Sequence, residues 1–455
     1  MSAATPADDG FRAAADAVYQ DLLGRIGEAA PQPRLEPTRR AVELLGDPHR
    51  SAPVIQIAGT NGKTSTSRMI ESLLRATGLK PGLLTSPHLQ RVNERILIDG
   101  EPISDEAFAS AGEDIQPYLL MVDAELVAAG EEPLTFFEAL TVLAFAAFAD
   151  APVDVMVLEV GMGGEWDSTN VADAQVAVFT PIALDHMSRL GSTVEEIART
   201  KSGIIKPASL VVTAMQQLAA LDEIRSAAQQ FEAEVAIERA DFAVESSAVA
   251  VGGQLLDIRG RAAHYPGIFL PMYGDHQAQN AAIAVAAVES FLGAGTLALD
   301  PDLVAQGLGQ VESPGRLQLV GIEPTILVDA AHNPHGAGAL AAALGEYFDF
   351  DEITFVIAVL EDKDAHGIVS ELVPVADQFY VTRSSSDRAL EFDELIDVVL
   401  RVGGEDRAFE FRDVEHALGD ARAWAQERPR RAVVVTGSIT LVADAMAIAE
   451  REGWK

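Results

Sequence analysis

The chain has 455 residues, 48% of them hydrophobic and 22% charged, a globular composition with length for two or three domains. Its 69 acidic against 33 basic side chains give a net charge of -36, a field that repels nucleic acid and anionic membrane surfaces, so neither is expected as a partner. With no cysteine, disulfides, thiolate metal sites and thiol nucleophiles are excluded, which suits a reducing compartment and a cytoplasmic location.

The first stretch, MSAATPADDGFRAAADAVYQ, is acidic and lacks an apolar core, so it is not expected to be a signal peptide. Residues 1–50 read as helical, with turn signals at Pro31 and Pro33 and a helix stop at Gly46. PVIQIAG is a short apolar strand, and the helix from Lys63 puts Met69, Ile70, Leu73 and Leu74 on one face before Gly78 ends it. GLLTSPHL reads as a strand running into a loop, and RILIDGEPIS as a hairpin turning at Asp99-Gly100. A long helical stretch then runs through FFEALTVLAFAAFA. Its apolar run, Ala139 to Ala149, is too short to span a bilayer and reads as a buried helix.

VDVMVLEVGMGG, Val153 to Gly164, is a buried strand opening into a glycine-rich loop, and VAVFTPIALDH is another strand. Residues 207–272 read as alternating short strands and helices. HQAQNAAIAVAAVESFL contains an alanine-rich helix from Gln277 to Leu292. The Pro-Gly step in VESPGRLQ suggests a linker. Beyond it TILVDAAHN, ITFVIAVLEDKD, QFYVTRS and AVVVTGS are strands separated by amphipathic helices. The expected architecture is α/β, with a mostly parallel sheet in residues 1–312 and a smaller α/β domain in 313–455.

The segment from Pro53 to Leu74 carries the chemistry. A loop meeting a helix N-terminus aims unpaired backbone N–H groups and the positive end of the helix dipole at one spot. Gly59 and Gly62 allow close backbone approach, Lys63 can reach outer phosphates, and the Thr64 hydroxyl can bind Mg²⁺. Strand before and amphipathic helix after favour phosphate binding over a glycine turn with an incidental lysine. The usual phosphate-loop pattern, however, has a first glycine where this chain has Ile57. Glu159 ends an apolar strand, where an unpaired charge would be costly, so a magnesium ligand is the better reading.

The short form Gly59-Thr60-Asn61-Gly62-Lys63-Thr64 resembles the Mur ligase superfamily, ATP-dependent ligases that join a carboxylate to an amine. LLTSPHLQRVNERILIDGEPIS, Leu83 to Ser104, resembles its folylpolyglutamate synthase/dihydrofolate synthase branch. LTFFEALTVLAF, VLEVGMGGEWDSTN, LDHMSRLGSTVEEIARTKSGIIKP, YGDHQAQNAA, SPGRLQ, DAAHNPHG and EDKDAHG match further blocks in the same order. The resemblance implies a Mur-ligase-like fold: a P-loop ATP-binding domain with a mostly parallel sheet, then a smaller Rossmann-like C-terminal α/β domain.

It also implies roles. The six-residue loop binds ATP with Asn280, Arg316, Asp329 and His332. Thr64, Ser86, Glu159, His186 and Lys201 serve two Mg²⁺ ions, and the family lysine at Lys201 is often carbamylated by CO₂. Ser86, Pro87, His88, Phe137 and Asp167 would meet the pterin-bearing acid, with Phe136 and Glu138 nearby and Asn170 in the same loop as Asp167. For Phe137 core packing is the other reading; for Phe145 and Phe148 it is preferred. His276 and Gln277 accompany Asn280, and Asp362, Lys363 and Asp364 form a family loop. Lys63, His186, Lys201 and Arg316 are the candidate catalytic residues, with ATP between the domains and closure excluding water.

The implied activity adds L-glutamate to dihydropteroate or a reduced folate through an acyl phosphate, by a monomer. Four positions depart from the family pattern: Glu165 for arginine, Thr200 for glutamate, Ser313 for tryptophan and Ala330 for glycine. Three other readings stay open at this point. They are a Mur-type ligase acting on another carboxylate, a P-loop kinase or NTPase, and a silent binding protein, the last motivated by Glu165 and Thr200.

Overall fold

Val54–Ala58 is apolar except for Gln56, a pattern that suits the middle of a sheet covered on both faces. In the computed structural model, which describes residues 6–28 and 30–454, it is strand β1, with all five residues buried. It follows helices α1 (Pro6–Leu23) and α2 (Glu36–Leu44). The helical reading of residues 1–50 includes 1–5 and 29, which lie outside the described residues. Next come α3 (Lys63–Ala76), β2 (Pro81–Leu84) and the hairpin β3 (Ile96–Ile98)/β4 (Glu101–Pro102). Asp99 and Gly100 both take positive φ in the hairpin turn, 55° and 85°.

The long helical stretch is two helices, α4 (Asp105–Ala129) and α5 (Phe136–Asp150). Gly130 ends the first at φ 77°, and Thr135 caps the second in a reciprocal capping box with Glu138. Phe145 and Phe148 of α5 are fully buried, each contributing about 2–3 kcal/mol of burial. Then come β5 (Val155–Glu159), β6 (Ala174–Phe179), α6 (Met187–Leu190), α7 (Val194–Ser202), β7 (Leu210–Thr213), α8 (Leu218–Gln230) and β8 (Glu234–Ile237). These strands form one sheet in the order β4-β3-β2-β5-β1-β6-β7-β8, parallel apart from the hairpin. β2, β5, β1 and β6 are therefore neighbours pointing the same way. The loops that leave their C-terminal ends share one edge, where open α/β sheets bind ligands.

Beyond β8 the expected alternation with helices does not continue. β9 (Ala243–Ala250), β10 (Gly253–Arg259) and β11 (His264–Leu270) make a three-stranded sheet, with Gly252 at φ 80° in the turn between the first two. Helices α9 (Asp275–Gly293) and α10 (Pro301–Gly309) follow.

The chain packs as two units. One holds residues up to Glu245, with Asp257–Ile268 and Gln279–Val311; the other holds Ser246–Leu256, Phe269–Ala278 and Glu312 onward. A single division after residue 312 differs from this by the two earlier excursions, each made of the ends of two neighbouring elements and the turn between them. The second unit contains β12 (Gln318–Gly321), β13 (Thr325–Val328), α11 (Pro334–Tyr347), β14 (Glu352–Ile357), α12 (Ala365–Leu372) and β15 (Gln378–Val381). It ends with α13 (Phe392–Gly403), β16 (Ala408–Glu410), α14 (Val414–Gln426), β17 (Arg431–Thr436) and α15 (Ile439–Glu452). Its sheet runs β12-β13-β17-β14-β15-β16, parallel except for the antiparallel edge strand β12.

Candidate active site

The phosphate-type loop is pinned from three sides. Gly59 has φ 152° and presses on β6: a Cβ there would stand 1.8 Å from Thr180 Oγ1. Gly62 has φ 86° and presses on α9, where a Cβ would stand 2.5 Å from Asn280 Oδ1. Both positions thus exclude a side chain by space as well as by backbone conformation. Between them the Thr60 amide donates to Pro181 O at 2.9 Å and its hydroxyl donates to Ala183 O at 3.0 Å. Gly62 is the N-cap of α3 and supplies no side-chain cap, and the positive end of the helix dipole meets the loop there. Lys63 Nζ curls over the loop, donating to the carbonyls of Gly59 and Thr60 at 3.3 Å.

Glu159, at the end of β5, is 2% exposed and gathers the neighbouring strand ends. Thr64 Oγ1 donates to its Oε1 at 2.8 Å, the Ser86 amide donates to Oε2 at 3.3 Å, and the Thr85 hydroxyl donates to the same oxygen. Three positions expected as metal ligands, Thr64, Ser86 and Glu159, are therefore brought together. Thr85, not singled out from the sequence, joins them; its only signal was a hydroxyl directly after β2 and one residue before Ser86. Among the described residues no group of three or more His, Cys, Asp or Glu side chains forms a ready metal cage. One carboxylate with neighbouring hydroxyls is the donor set of a cation that keeps water and phosphate ligands, and it fits Mg²⁺.

The glycine-rich loop after β5 is braced from beneath. Asp167 is 3% exposed, its carboxylate accepting from the Met162 amide at 3.0 Å and from the Thr169 amide and hydroxyl at 3.0 and 2.5 Å. Burial pushes this carboxyl above its ordinary range, with the bond from Thr169 pulling the other way. Buried Gln56 on β1 donates to Thr169 Oγ1 at 3.0 Å, extending the network under the loop. Phe137 is half-buried and lies on Gly161, where a Cβ would stand 2.7 Å from its ring. Asn170 donates to the carbonyls of Glu165 and Gly203 at 3.0 and 3.1 Å.

Lys201 lies in the last turn of α7 and is 4% exposed. Gly164 packs on it: a Cβ would come 2.6 Å from the Lys201 carbonyl. Burial first, and the Lys63 charge second, push the Lys201 amine down to about 7, against the pull of Asp185 and Asp167. His186 has φ 50° and its amide donates to Asp185 Oδ1 at 2.8 Å. Asp185 was not singled out either, though it stands directly before His186 in the sequence. The departures Glu165 and Thr200 touch through backbone, the Glu165 amide donating to Thr200 O at 2.8 Å, while the Glu165 side chain is exposed.

In the Ser86-Pro87-His88 step Pro87 is exposed and His88 is turned onto Arg95, which donates from Nε to His88 Nδ1 at 2.8 Å. Phe136 is 4% exposed, with the Arg95 guanidinium 5.2 Å from its ring centre. Glu138 is held by Arg34 at 3.0 and 3.1 Å and by the Thr135 amide at 2.7 Å. Phe136 and Glu138 therefore build the start of α5, and Phe137 is the member of this triplet with exposed surface.

The second unit carries its own cluster. Asp329 is buried and accepts from the Leu317 and Ala331 amides at 2.7 and 2.8 Å, which shapes the turn bearing Arg316. Burial raises the Asp329 carboxyl and the Arg316 charge opposes the rise. His332 Nδ1 lies 2.9 Å from Ala330 O. His276 is pushed down to about 4 by burial and by the charges of Arg316 and His335. Gln277, 3% exposed, is buried in the same unit.

Residues 57–288 match the family described as Mur ligase middle domain, and 315–439 match Mur ligase, glutamate ligase domain. The dihydrofolate synthase/folylpolyglutamate synthase of Mycobacterium tuberculosis is 42% identical over 447 residues, spanning 93% of this chain and 92% of that protein. The Bacillus subtilis protein of the same name is 31% identical, over 94% and 98%. Among solved structures, Mycobacterium tuberculosis folylpolyglutamate synthase complexed with ADP and AMPPCP superposes with a TM-score of 0.92 at 41% identity, covering 96% of this chain and 99% of that one. Escherichia coli FolC in complex with DHPP and ADP gives 0.82 at 30% identity, over 96% and 98%.

Proposed function

The chain belongs to the Mur ligases, in the dihydrofolate synthase/folylpolyglutamate synthase branch, and we propose from that premise how its residues carry the reaction. It is an ATP-dependent ligase that joins L-glutamate to dihydropteroate or a reduced folate. The observation that supports the site assignment most strongly is the meeting of Thr64, Ser86 and Glu159 beside the Gly59–Thr64 loop.

A carboxylate is a poor acyl donor because its leaving group would be oxide. In the first step a carboxylate oxygen of the acid attacks the ATP γ-phosphorus, the bond to the β-phosphate oxygen breaks, and ADP leaves. The α-amine of glutamate then attacks the acyl carbon of the acyl phosphate, loses a proton, and the tetrahedral intermediate expels phosphate to leave an amide. Lys63 and the first amides of α3 hold the phosphates where negative charge moves. Asn280 supports the nucleotide beside Gly62. Arg316, Asp329 and His332, in the second unit, are assigned to nucleotide phosphate and ribose by resemblance.

Thr64, Ser86 and Glu159 would hold one Mg²⁺, with His186 and carbamylated Lys201 at a second. Bound there, the ions would offset charge on the phosphate oxygens. A Lys201 amine with a pKa of about 7 suits carbamylation, since the neutral amine is the form that takes up CO₂. Pro87, His88, Phe137 and Asp167 are assigned to the acid. The reading is of a monomer in the cytoplasm, the latter suited by a sequence without cysteine.

The test is one incubation with ATP, Mg²⁺, L-glutamate and either dihydropteroate or tetrahydrofolate, with products weighed by mass spectrometry. A mass gain of one glutamate that requires ATP supports the reading. Phosphate release that is independent of glutamate overturns it.

A further inference from the structure

Arg95, His88 and Tyr19 form a directed chain of hydrogen bonds that ends on a hydroxyl with a proton to spare. Arg95 is 3% exposed and its fork lies on Glu28 at 2.5 and 3.1 Å. Its remaining inward donor, Nε–H, points at His88 Nδ1 from 2.8 Å. A guanidinium N–H only donates, so Nδ1 accepts and the neutral ring carries its proton on Nε2. Nε2 lies 3.4 Å from Tyr19 Oη. With the ring nitrogen donating, the tyrosine oxygen accepts, and the phenolic proton is left without a partner among the described residues.

The phenol is also held sterically. Tyr19 makes edge contacts with His88 and Phe136 at 5.8 and 6.3 Å between ring centres.

We infer that Arg95 and His88 are positioning residues that hold Tyr19 as a hydrogen-bond donor, and that its hydroxyl recognises an acceptor, a ring nitrogen or carbonyl oxygen, on the acid substrate. This rests on assigning the Ser86-Pro87-His88 step to that substrate. Without Arg95 the imidazole is free to adopt the other tautomer, accept from Tyr19, and consume the donor.

Two measurements separate this inference from the reading beneath it. In steady-state ligation, Tyr19→Phe should raise KM for the acid roughly three- to tenfold, the worth of one neutral hydrogen bond, with kcat and KM for ATP unchanged. An unchanged KM for the acid overturns the donor. Absence of ligation by the wild type overturns the folate reading and the donor with it. Independently of any substrate, ¹⁵N NMR of histidine-labelled protein, with His88 assigned by loss of its signal in His88→Asn, reports the tautomer. At pH 7.5 the wild-type ring should be in the Nε2–H form, whereas Arg95→Met should show a mixture of the two tautomers. A wild-type ring in the Nδ1–H form, or an Arg95→Met ring unchanged from wild type, overturns the positioning role. The wild-type spectrum alone decides the tautomer should Arg95→Met fold poorly.

Discussion

Gly62 stands so close to Asn280 that a Cβ on the glycine would come within 2.5 Å of the Asn280 amide oxygen. The contact joins the N-terminus of α3 to α9, two elements far apart in sequence. Gly62→Ala adds a backbone cost of roughly 1–2 kcal/mol at φ 86° and forces Asn280 to move. The expected outcome is a KM for ATP raised at least about tenfold, the equivalent of 1.4 kcal/mol, with far-ultraviolet circular dichroism unchanged. Adding Asn280→Ala should recover the steric part of the stability loss, though not ATP affinity. Thermal melts of the single and double variants check the first and steady-state kinetics the second.

Glu159 accepts from Thr64, Thr85 and Ser86, and its burial leaves little room for another explanation of a charge at that strand end. Glu159→Gln keeps the shape and removes the charge. Turnover should fall about a hundredfold or more, the scale of losing one preorganised electrostatic group. The Mg²⁺ concentration for half-maximal rate should also rise. A Mg²⁺ titration that superposes on wild type would remove Glu159 from the metal site.

Lys201 offers a test with CO₂. An amine held at about pKa 7 is substantially neutral at neutral pH, the form that carbamylates. Activity in CO₂-depleted buffer should drop and return on adding bicarbonate, and ¹³C-labelled bicarbonate should give a carbamate signal absent from Lys201→Ala. If depletion leaves the rate unchanged and no signal forms, Lys201 acts unmodified.

His88 ties stability to pH. Its folded pKa, about 4, lies below the ordinary 6.5, with burial the largest cause and Arg95 second. Between those values the unfolded chain binds a proton that the native protein does not. The stabilising share is therefore complete above pH 6.5 and is lost as the pH falls toward 4, up to on the order of 3 kcal/mol. His276 acts in the same direction, so the readout is a difference. Urea melts of wild type and His88→Gln, whose amide can still accept from Arg95 and donate to Tyr19, should converge as the pH drops from 7 to about 4. Parallel curves would contradict the shift.

The α3 face of Met69, Ile70, Leu73 and Leu74, the buried helix α5, and the turn at Asp99-Gly100 were legible because each is dictated by local periodicity or turn geometry. The break between α4 and α5 was legible in principle, through Gly130 and the Thr135–Glu138 box, but the apolar run on either side hid it. The strands after residue 243 were less so, since short runs there carry no clear period.

By itself the chain of residues determined the kind of chemistry: a glycine loop before Lys63-Thr64, a carboxylate ending a strand, and motifs in a family's order. Only the tertiary structure decided which of these groups meet. The order β2-β5-β1-β6 brings Thr85 and Ser86, Glu159, Thr64 and Thr180 to one edge, and packing outside the sheet sets Glu138 on Arg34, 104 residues earlier in the chain. Strand order follows from long-range pairing and the burial of both sheet faces, and no local pattern of side chains encodes which distant strand will lie alongside.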